Sequence, residues 1–290
     1  MRYSLSRIVY VNGEYAPEEA AKISVFDRGF IFGDGVYEVV PVVAGKLVDR
    51  DYFLERLDRS LSELSITWPC SQREYLDIMQ ELISRNKLEE GFVYSQVTRG
   101  IADRDFVFPA DTAPSLVAFT SQMNLLNNPL AESGIAVSTS EDIRWKRRDI
   151  KSVNLLAQCL AKQDAHSKGA NEGWMVEDGF VTEGVTSSAY IVKERKIITR
   201  PLSNSILPGI RRRTLIEIAE REGIELEQRL FTLEEALQAD EAFISSATTI
   251  TLPVVSIDGE KIADGTPGEI TGKLRKMYIE RLLEEANNSE

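Results

Sequence analysis

The segment from Glu141 to His166 constrains this chain most strongly, because it joins a dense run of cations to an amphipathic helix. Four of five consecutive positions are basic, namely Arg144, Lys146, Arg147 and Arg148. Lys151 follows, and apolar residues then recur at helical spacing. Like charges disfavour the ammonium form of a lysine, and the neutral amine can condense with an aldehyde or ketone. The segment therefore predicts a nucleophilic lysine before a helix, with a solvated basic loop as the alternative.

Length and charge limit the class of protein. With 290 residues and 43% hydrophobic content, the chain is long enough for two domains, each with its own core. The net charge of −12 argues against nucleic acid as a partner, since phosphate binding needs a basic face. No apolar run is long enough to cross a membrane, and the first 15 residues indicate a strand and turn rather than a cleaved leader. We therefore expect a cytoplasmic protein.

Cysteine and histidine usage excludes several kinds of site. Cys70 and Cys159 lie far apart in the sequence, which suits a reducing compartment and gives neither a disulfide framework nor a zinc spacing. His166 is the only histidine, near the end of a predicted helix. A zinc centre with several histidines is excluded, and a Ser-His-Asp triad would have to use His166 alone. We expect no metal site.

Strands alternate with amphipathic helices along the chain, which predicts an α/β (α+β) fold. The expected elements include strands at 8–11, 23–25 and 36–43, helices at 51–64, 72–88 and 268–285, and a hairpin at 174–184. A polar, turn-rich stretch separates two strands near the middle of the chain. It divides the chain into an N-terminal domain (1–120), a linker (121–134) and a C-terminal domain (135–290) that carries Lys151.

A glycine-rich turn precedes the strand at 36–43. The spacing of Gly29, Gly33 and Gly35 is not that of a dinucleotide loop, and a strand follows it rather than a helix. The alternation of a strand directs Tyr37 to one face and Glu38 to the other. We expect the glycines to let the backbone turn tightly at the mouth of a site.

The second half of the chain contains a carboxylate and two candidate anion-binding turns. Glu183 ends the predicted hairpin, where a surface carboxylate is the alternative to a functional one. Pro208 and Gly209 precede a helix whose first backbone amides could bind an anion. Thr232 and Glu235 have the spacing of a capping box.

Several of these segments resemble the class IV aminotransferases, the family that contains D-amino-acid and branched-chain transaminases. The matching patterns are DIRW followed by RDIKS and NLL, then FGDGVYEV, ERL and VTEG. The resemblance covers nearly the whole chain and is closest to the D-amino-acid branch. It implies the two-domain fold of type IV pyridoxal-phosphate enzymes, with pyridoxal 5′-phosphate between the domains. It also implies a homodimer whose site is completed by the partner subunit.

The resemblance assigns roles to particular residues. Lys151 would hold the cofactor and move the substrate proton, and Glu183 would face the pyridine nitrogen. Further cofactor contacts would come from Arg56, Leu207, Ile210, Arg211, Ser246, Ala247 and Thr248. The substrate would meet Tyr37, Arg104, Phe106, Thr186 and Ser187. Two stretches depart from the family, since Ala247 replaces a threonine and VTSSAYIV replaces a serine-rich run.

The loop IADRDFVFP contains the clearest departure. Related D-amino-acid transaminases use an arginine and, two residues later, a histidine to bind the substrate carboxylate, and here those positions hold Arg104 and Phe106. A guanidinium alone can bind a carboxylate with two hydrogen bonds. An aromatic side chain at position 106 would also suit hydrophobic amines without a carboxylate.

The implied reaction is a ping-pong transamination through an internal aldimine at Lys151. A D-amino acid such as D-alanine would donate its amino group to a 2-keto acid, 2-oxoglutarate or pyruvate. The main alternative is an (R)-selective amine transaminase. A branched-chain L-amino-acid transaminase and an aminodeoxychorismate lyase fit less well, and a non-catalytic binding protein fits least because Lys151 is present.

Overall fold

In a computed structural model that describes residues 6–288, the N-terminal part of the chain forms a six-stranded antiparallel sheet. Its strands, in spatial order, are Glu14–Pro17 (β2), Ile8–Val11 (β1), Ser115–Gln122 (β6), Gly91–Thr98 (β5), Gly35–Val43 (β3) and Lys46–Leu47 (β4). Three helices accompany it, Arg28–Phe32 (α1), Arg50–Glu63 (α2) and Gln72–Asn86 (α3). Residues 1–5, the first part of the segment predicted as a strand and turn, lie outside the described residues.

The strand at 8–11 pairs with a nearer segment than the predicted strand at 23–25. β1 pairs with β2 at 14–17, and residues 23–25 do not form a strand, so that prediction is wrong. Asn12 and Gly13 have φ angles of 47° and 101°. Two successive positive φ angles are typical of a two-residue hairpin turn. The chain therefore reverses directly after Val11.

Helices α2 and α3 pack against one face of this sheet. Phe53, Leu57 and Leu61 of α2 are fully buried, as the leucine spacing of that helix predicts. On β3, Glu38 is buried, whereas Tyr37 is only partly buried. The two residues therefore lie on opposite faces of the strand, and Tyr37 is on the face away from the helices.

The rest of the chain forms a nine-stranded mixed sheet. Its strands are Ile135–Glu141 (β7), Glu172–Glu177 (β8), Phe180–Gly184 (β9), Ser188–Lys193 (β10), Lys196–Thr199 (β11), Leu226–Gln228 (β12), Glu241–Ser246 (β13), Ile250–Ile257 (β14) and Glu260–Lys261 (β15). The remaining helices are Leu130–Ser133 (α4), Leu156–Ser167 (α5), Ile210–Arg221 (α6), Leu233–Leu237 (α7) and Glu269–Asn288 (α8).

A second hydrophobic core packs against this sheet. It is apolar, and Trp174, Phe231 and Ile257 are fully buried within it. The predicted hairpin is confirmed as β8 and β9, and the capping box is confirmed at the start of α7. The mixed α/β class predicted from the sequence is likewise confirmed.

Contacts divide the chain into two units. The first unit comprises residues Met1–Asn124, Ile150–Asn154 and Leu282–Glu290, and the second comprises Leu125–Asp149 and Leu155–Arg281. The lysine segment therefore belongs to the first unit, although the sequence analysis assigned Lys151 to a C-terminal domain. The reason is hydrogen bonding to β3, described below. The linker at 121–134 stays a prediction.

Candidate active site

The lysine segment lies along the first half of β3. Lys151 accepts a hydrogen bond at its carbonyl from the Tyr37 amide, at 3.0 Å, and the Val153 amide donates to the Gly35 carbonyl, also at 3.0 Å. Asn154 donates from Nδ2 to the carbonyl of Gly33, where a Cβ atom would come within 2.5 Å of the Asn154 side chain. The glycine-rich turn therefore binds the lysine segment through its backbone carbonyls.

These contacts bring Lys151 and Tyr37 together, as the sequence predicts for two residues of one site. The Lys151 ammonium nitrogen lies 4.0 Å from the centre of the Tyr37 ring. Tyr37 stacks on Tyr94, with ring centres 5.6 Å apart. Burial raises the pKa of Tyr94 to about 12, so its hydroxyl stays protonated and donates to Gln96. Tyr94 was not among the predicted site residues, although the alternation of side chains along β5 places it on this face.

Arg56 lies on the other face of β3. Its guanidinium binds the Glu38 carboxylate with two hydrogen bonds, Nε to Oε1 at 2.9 Å and Nη2 to Oε2 at 2.6 Å. Both side chains are buried. Arg56 is thus fixed by Glu38, and its assignment to a cofactor phosphate stays a prediction.

Glu183 ends β9 as a buried carboxylate, not as a surface one. The backbone amide of Leu207 donates to both of its oxygens at 3.2 Å, and Arg144 donates from Nη1 to Oε1. Burial raises the pKa of the Glu183 carboxyl above its ordinary value, against the opposite effect of Arg144 and the Leu207 amide. Glu183 and Leu207, both predicted cofactor contacts, are therefore neighbours.

The arginines of the cationic run are paired. Arg144 pairs with Asp142 at 2.7 Å, Arg147 with Asp149 at 3.1 Å and Arg148 with Glu177 at 2.7 Å. Nearby carboxylates therefore neutralise these three guanidinium groups. The prediction that like charges surround Lys151 is incomplete for this reason. The sequence shows Asp149 within the run but gives no local sign of the partners further away.

The predicted anion-binding residues form one group in the second unit. Gly209, which has no side chain that could cap the helix, is the N-cap of α6, and Ile210 begins the helix. Arg211 donates from Nη2 to the carbonyl of Ala247 at 3.3 Å. The amide of Thr248 donates to the Ser246 hydroxyl, also at 3.3 Å. Helix-start amides and hydroxyl groups form a donor set that suits a phosphate.

Backbone strain accompanies this hydroxyl-rich turn. Ile250, fully buried, has a φ of 60°, which is rare for a β-branched residue and costs about 1–3 kcal/mol. Arg275 holds the strained segment by donating to the carbonyls of Thr249 and Thr251 at 2.7 and 2.8 Å. The Thr249 hydroxyl lies 2.9 Å from that of Ser246 and adds a group that the sequence analysis missed.

Thr186 and Ser187 differ in how their hydroxyl groups are used. Thr186 donates to Glu172 at 2.8 Å, and the same carboxylate pairs with Lys162 at 2.9 Å. The Ser187 hydroxyl is buried and has no hydrogen-bond partner within the described part of the chain. A buried hydroxyl without a partner is costly unless a ligand satisfies it, so Ser187 is the better candidate of the two.

Arg104 and Phe106 lie in the loop after β5 with their side chains largely exposed. The Arg104 guanidinium is 5.5 Å from the centre of the Phe106 ring and 5.5 Å from that of Phe32. The predicted pair is thus in contact, and Phe32 joins it.

Known proteins match this chain over most of its length. The family model described as amino-transferase class IV matches residues 35–257. A D-alanine aminotransferase from Staphylococcus haemolyticus is 40% identical over 276 residues, which are 94% of this chain and 98% of that protein. A D-alanine aminotransferase from Bacillus licheniformis is 36% identical over 277 residues, or 96% and 98% of the two chains.

Solved structures show the same fold. The branched-chain amino acid aminotransferase of Escherichia coli superposes with a TM-score of 0.89 at 23% identity, over 98% of this chain and 97% of that one. The family model and the two relatives each cover well over half of the sequence. This chain belongs to the class IV aminotransferases.

Proposed function

We propose that this chain is a pyridoxal-phosphate-dependent transaminase that moves an amino group from a D-amino acid, such as D-alanine, to 2-oxoglutarate or pyruvate. The observation that carries the proposal is the buried Glu183 carboxylate, held by Arg144 and the Leu207 amide. A fixed, buried carboxylate suits a protonated ring nitrogen, as pyridoxal chemistry requires. The D-alanine aminotransferases similar to this chain support the D-amino acid as the donor.

Class IV aminotransferases use pyridoxal 5′-phosphate, and the residues of this chain fit it. Lys151 offers an amine beside the Tyr37 ring, where an aldehyde could be held. The start of α6, with a glycine at its N-cap, and the hydroxyl groups of Ser246 and Thr248 offer donors for a phosphate. Each part of the cofactor therefore has a matching group.

The protein residues would divide the work of the reaction. Lys151 supplies the base that removes the proton from the α-carbon of the amino donor. When bound, the cofactor supplies an electron-poor ring that accepts the electron density left at that carbon. Glu183 would pair as a carboxylate with the protonated ring nitrogen, whose positive charge opposes the effect of burial on the Glu183 pKa, and so would sustain that electron withdrawal. Arg104 binds the carboxylate of the donor and then that of the keto acid, so the two substrates bind in turn.

Spectra and single turnovers test the proposal. Protein incubated with pyridoxal phosphate is expected to absorb at about 400 nm. Lys151→Ala should abolish this band, and Lys168→Ala, which changes an exposed lysine paired with Asp164, should keep it. Mixing with D-alanine, L-leucine or (R)-1-phenylethylamine in separate experiments identifies the donor. A band and turnover that survive Lys151→Ala would show the assignment to be wrong.

One observation favours a second function. Phe106 is 76% exposed and stands where the family has a histidine, so the loop offers an aromatic surface instead of a second donor. Hydrophobic amines without a carboxylate could pack there, as in an (R)-selective amine transaminase. A faster single turnover with (R)-1-phenylethylamine than with D-alanine would establish this alternative.

We also propose that the enzyme works as a homodimer. Apolar side chains that are more than half exposed cluster on α1, on the turn before it and on the loop after β5, namely Val25, Phe30, Ile101, Phe106, Val107 and Phe108. Large exposed apolar patches mark interaction surfaces. Phe30→Ser should shift the mass measured by light scattering from dimer to monomer, whereas an unchanged mass would exclude this surface.

A cytoplasmic location is part of the same proposal. Cys70 and Cys159 are both free thiols, as a reducing compartment allows. No helix among residues 6–288 has the length and apolarity needed to span a membrane. Cell fractionation tests the location, and recovery outside the cytoplasmic fraction would contradict it.

A further inference from the structure

Three arginines and three aromatic rings alternate around the loop that follows β5, and we call this set the arginine–aromatic column. The distances from guanidinium to ring centre are 3.5 Å for Arg99 and Phe108, 5.8 Å for Arg28 and Phe108, 4.7 Å for Arg28 and Phe32, 5.5 Å for Arg104 and Phe32, and 5.5 Å for Arg104 and Phe106. All lie within the range of cation–π attraction. The loop is therefore tied to α1 by a continuous series of contacts.

One end of the column is buried. The Asp34 carboxylate accepts hydrogen bonds from Arg28 Nε at 2.8 Å and from Arg99 Nε and Nη2 at 2.8 and 3.0 Å. Both arginines are at most 6% exposed. Arg99 also donates to the carbonyls of Leu64 and Ser65. This end of the column is thus fixed by charge-assisted hydrogen bonds, which are the strong ones.

Arg28 also holds the loop backbone. Arg28 donates from Nη1 to the carbonyl of Asp105 at 2.6 Å. The Asp105 side chain in turn accepts from the Val107 amide at 3.1 Å. Phe106 lies between these two anchored residues, so its backbone position is set from inside the unit.

The other end of the column is Arg104. Its guanidinium contacts the rings of Phe32 and Phe106, whose centres are 5.5 Å apart. Within residues 6–288, Arg104 has no carboxylate partner within salt-bridge distance. Rings that pack against a guanidinium do not occupy its N–H groups as hydrogen-bond acceptors in the way that a carboxylate does, so these groups stay available to bind a carboxylate. The column therefore presents an unneutralised cation at the end of a supported side chain.

We propose that Phe32 and Phe106 are positioning residues that hold the Arg104 guanidinium ready for the substrate carboxylate, an inference that rests on the proposed function. Phe106 then still contributes to binding of the substrate carboxylate, although it replaces the histidine of related enzymes. The phenylalanine ring restricts the rotamers of Arg104 and so lowers the entropy lost on binding. The competing explanation is an arginine that rests on exposed rings without any effect on substrate binding.

Truncation of the rings separates the two explanations. Phe32→Leu and Phe106→Leu remove a ring face and keep an apolar side chain, and Phe106→Tyr restores the ring. The matched control is Tyr15→Leu on β2, because the Tyr15 ring lies 4.2 Å from the Arg85 guanidinium in the same unit. Phe106 is largely exposed, so its replacement is not expected to impair folding.

The expected result is a separation of KM from kcat. Each leucine variant should raise KM for D-alanine about three- to fivefold, the change typical of one exposed cation–π contact, and change kcat by less than about twofold. Phe106→Tyr, which restores the ring, should lower KM from the Phe106→Leu value toward that of the wild type, and Tyr15→Leu should retain the wild-type KM. In hydrogen exchange, the loop at 101–108 should exchange faster in Phe32→Leu than in the control.

The failures can be told apart. A wild-type enzyme without activity on D-alanine contradicts the proposed function, and hydrogen exchange then decides whether the rings order the loop. Unchanged exchange in Phe32→Leu overturns the column as a positioning device. An active wild type whose KM for D-alanine is unaltered by both leucine substitutions overturns the role of the rings in substrate binding.

Discussion

The guanidinium of Arg144 donates to the carboxylate of Glu183, 39 residues further along the chain. The opposite edge of Arg144 binds Asp142, with Nε to Oδ1 at 2.9 Å and Nη2 to Oδ2 at 2.7 Å. Asp142 also accepts from the Thr182 hydroxyl at 2.7 Å, and its side chain is fully buried. Charge-assisted hydrogen bonds that run from Asp142 through Arg144 therefore fix the orientation of the Glu183 carboxylate.

Breaking this buried network should be costly. Arg144→Leu leaves Asp142 and Glu183 without their shared partner, and loss of one member of a buried ion pair typically costs about 3–5 kcal/mol. Urea unfolding measures the free energy of unfolding. The control is Lys168→Gln, which breaks an exposed pair with Asp164 at the end of α5 and should cost less than about 0.5 kcal/mol. Equal losses in the two variants would mean that the network adds no stability.

Glu183→Gln tests the charge and leaves the shape unchanged. The amide oxygen can still accept from Leu207, so the cofactor should remain bound, but the negative charge opposite a ring nitrogen is lost. We expect the half-reaction with D-alanine to slow by a factor of about 10²–10³, the range found for removal of one electrostatic contact in an active site. Stopped-flow absorbance measures this rate. An unchanged rate would remove Glu183 from the catalytic machinery.

The limits of the sequence analysis follow from the range of the interactions. Thr232 and Glu235 lie three residues apart, and their capping box was predicted correctly because both partners occur within one turn. The contact between Arg144 and Glu183 has no local periodicity, so only the fold reveals it. The strand at 23–25 was predicted wrongly because apolar residues outweighed the turn signal at Asn12. Local patterns therefore gave the elements, whereas the partners of buried charges required the structure.

The stability of the first unit should depend on pH through Asp34. Burial alone would raise the pKa of the Asp34 carboxyl, but the hydrogen bonds and charges of Arg99 and Arg28 lower this pKa by a larger amount. The pKa of Asp34 in the folded protein is therefore below its ordinary value. The unfolded state then binds protons more readily, and the stabilisation from Asp34 is lost as pH falls below about 4. Asp34→Asn destabilises at neutral pH but cannot titrate. The difference in unfolding free energy between wild type and Asp34→Asn should therefore narrow between pH 6 and pH 3.

Urea unfolding at several pH values measures that difference. The matched comparison is Asp58→Asn, because Asp58 accepts a hydrogen bond from the Trp68 indole at an exposed position. Its difference from wild type should vary less with pH than that of Asp34→Asn. A difference for Asp34→Asn that stays constant from pH 6 to pH 3 would contradict the lowered pKa.

Phe106→His should shift substrate preference toward carboxylate-bearing donors. The imidazole keeps an aromatic ring beside Arg104 and adds an N–H donor that can reach the same carboxylate. A hydrogen bond to a charged group contributes about 1.5–3 kcal/mol, so kcat/KM for D-alanine relative to (R)-1-phenylethylamine should rise about tenfold to a hundredfold. The amine has no carboxylate and gains nothing. Val107→His is the control, since Val107 is 73% exposed one residue along the loop and belongs to the same apolar cluster, so that an effect on the dimer would appear in both variants. If both histidine variants change the ratio alike, position 106 does not select the substrate.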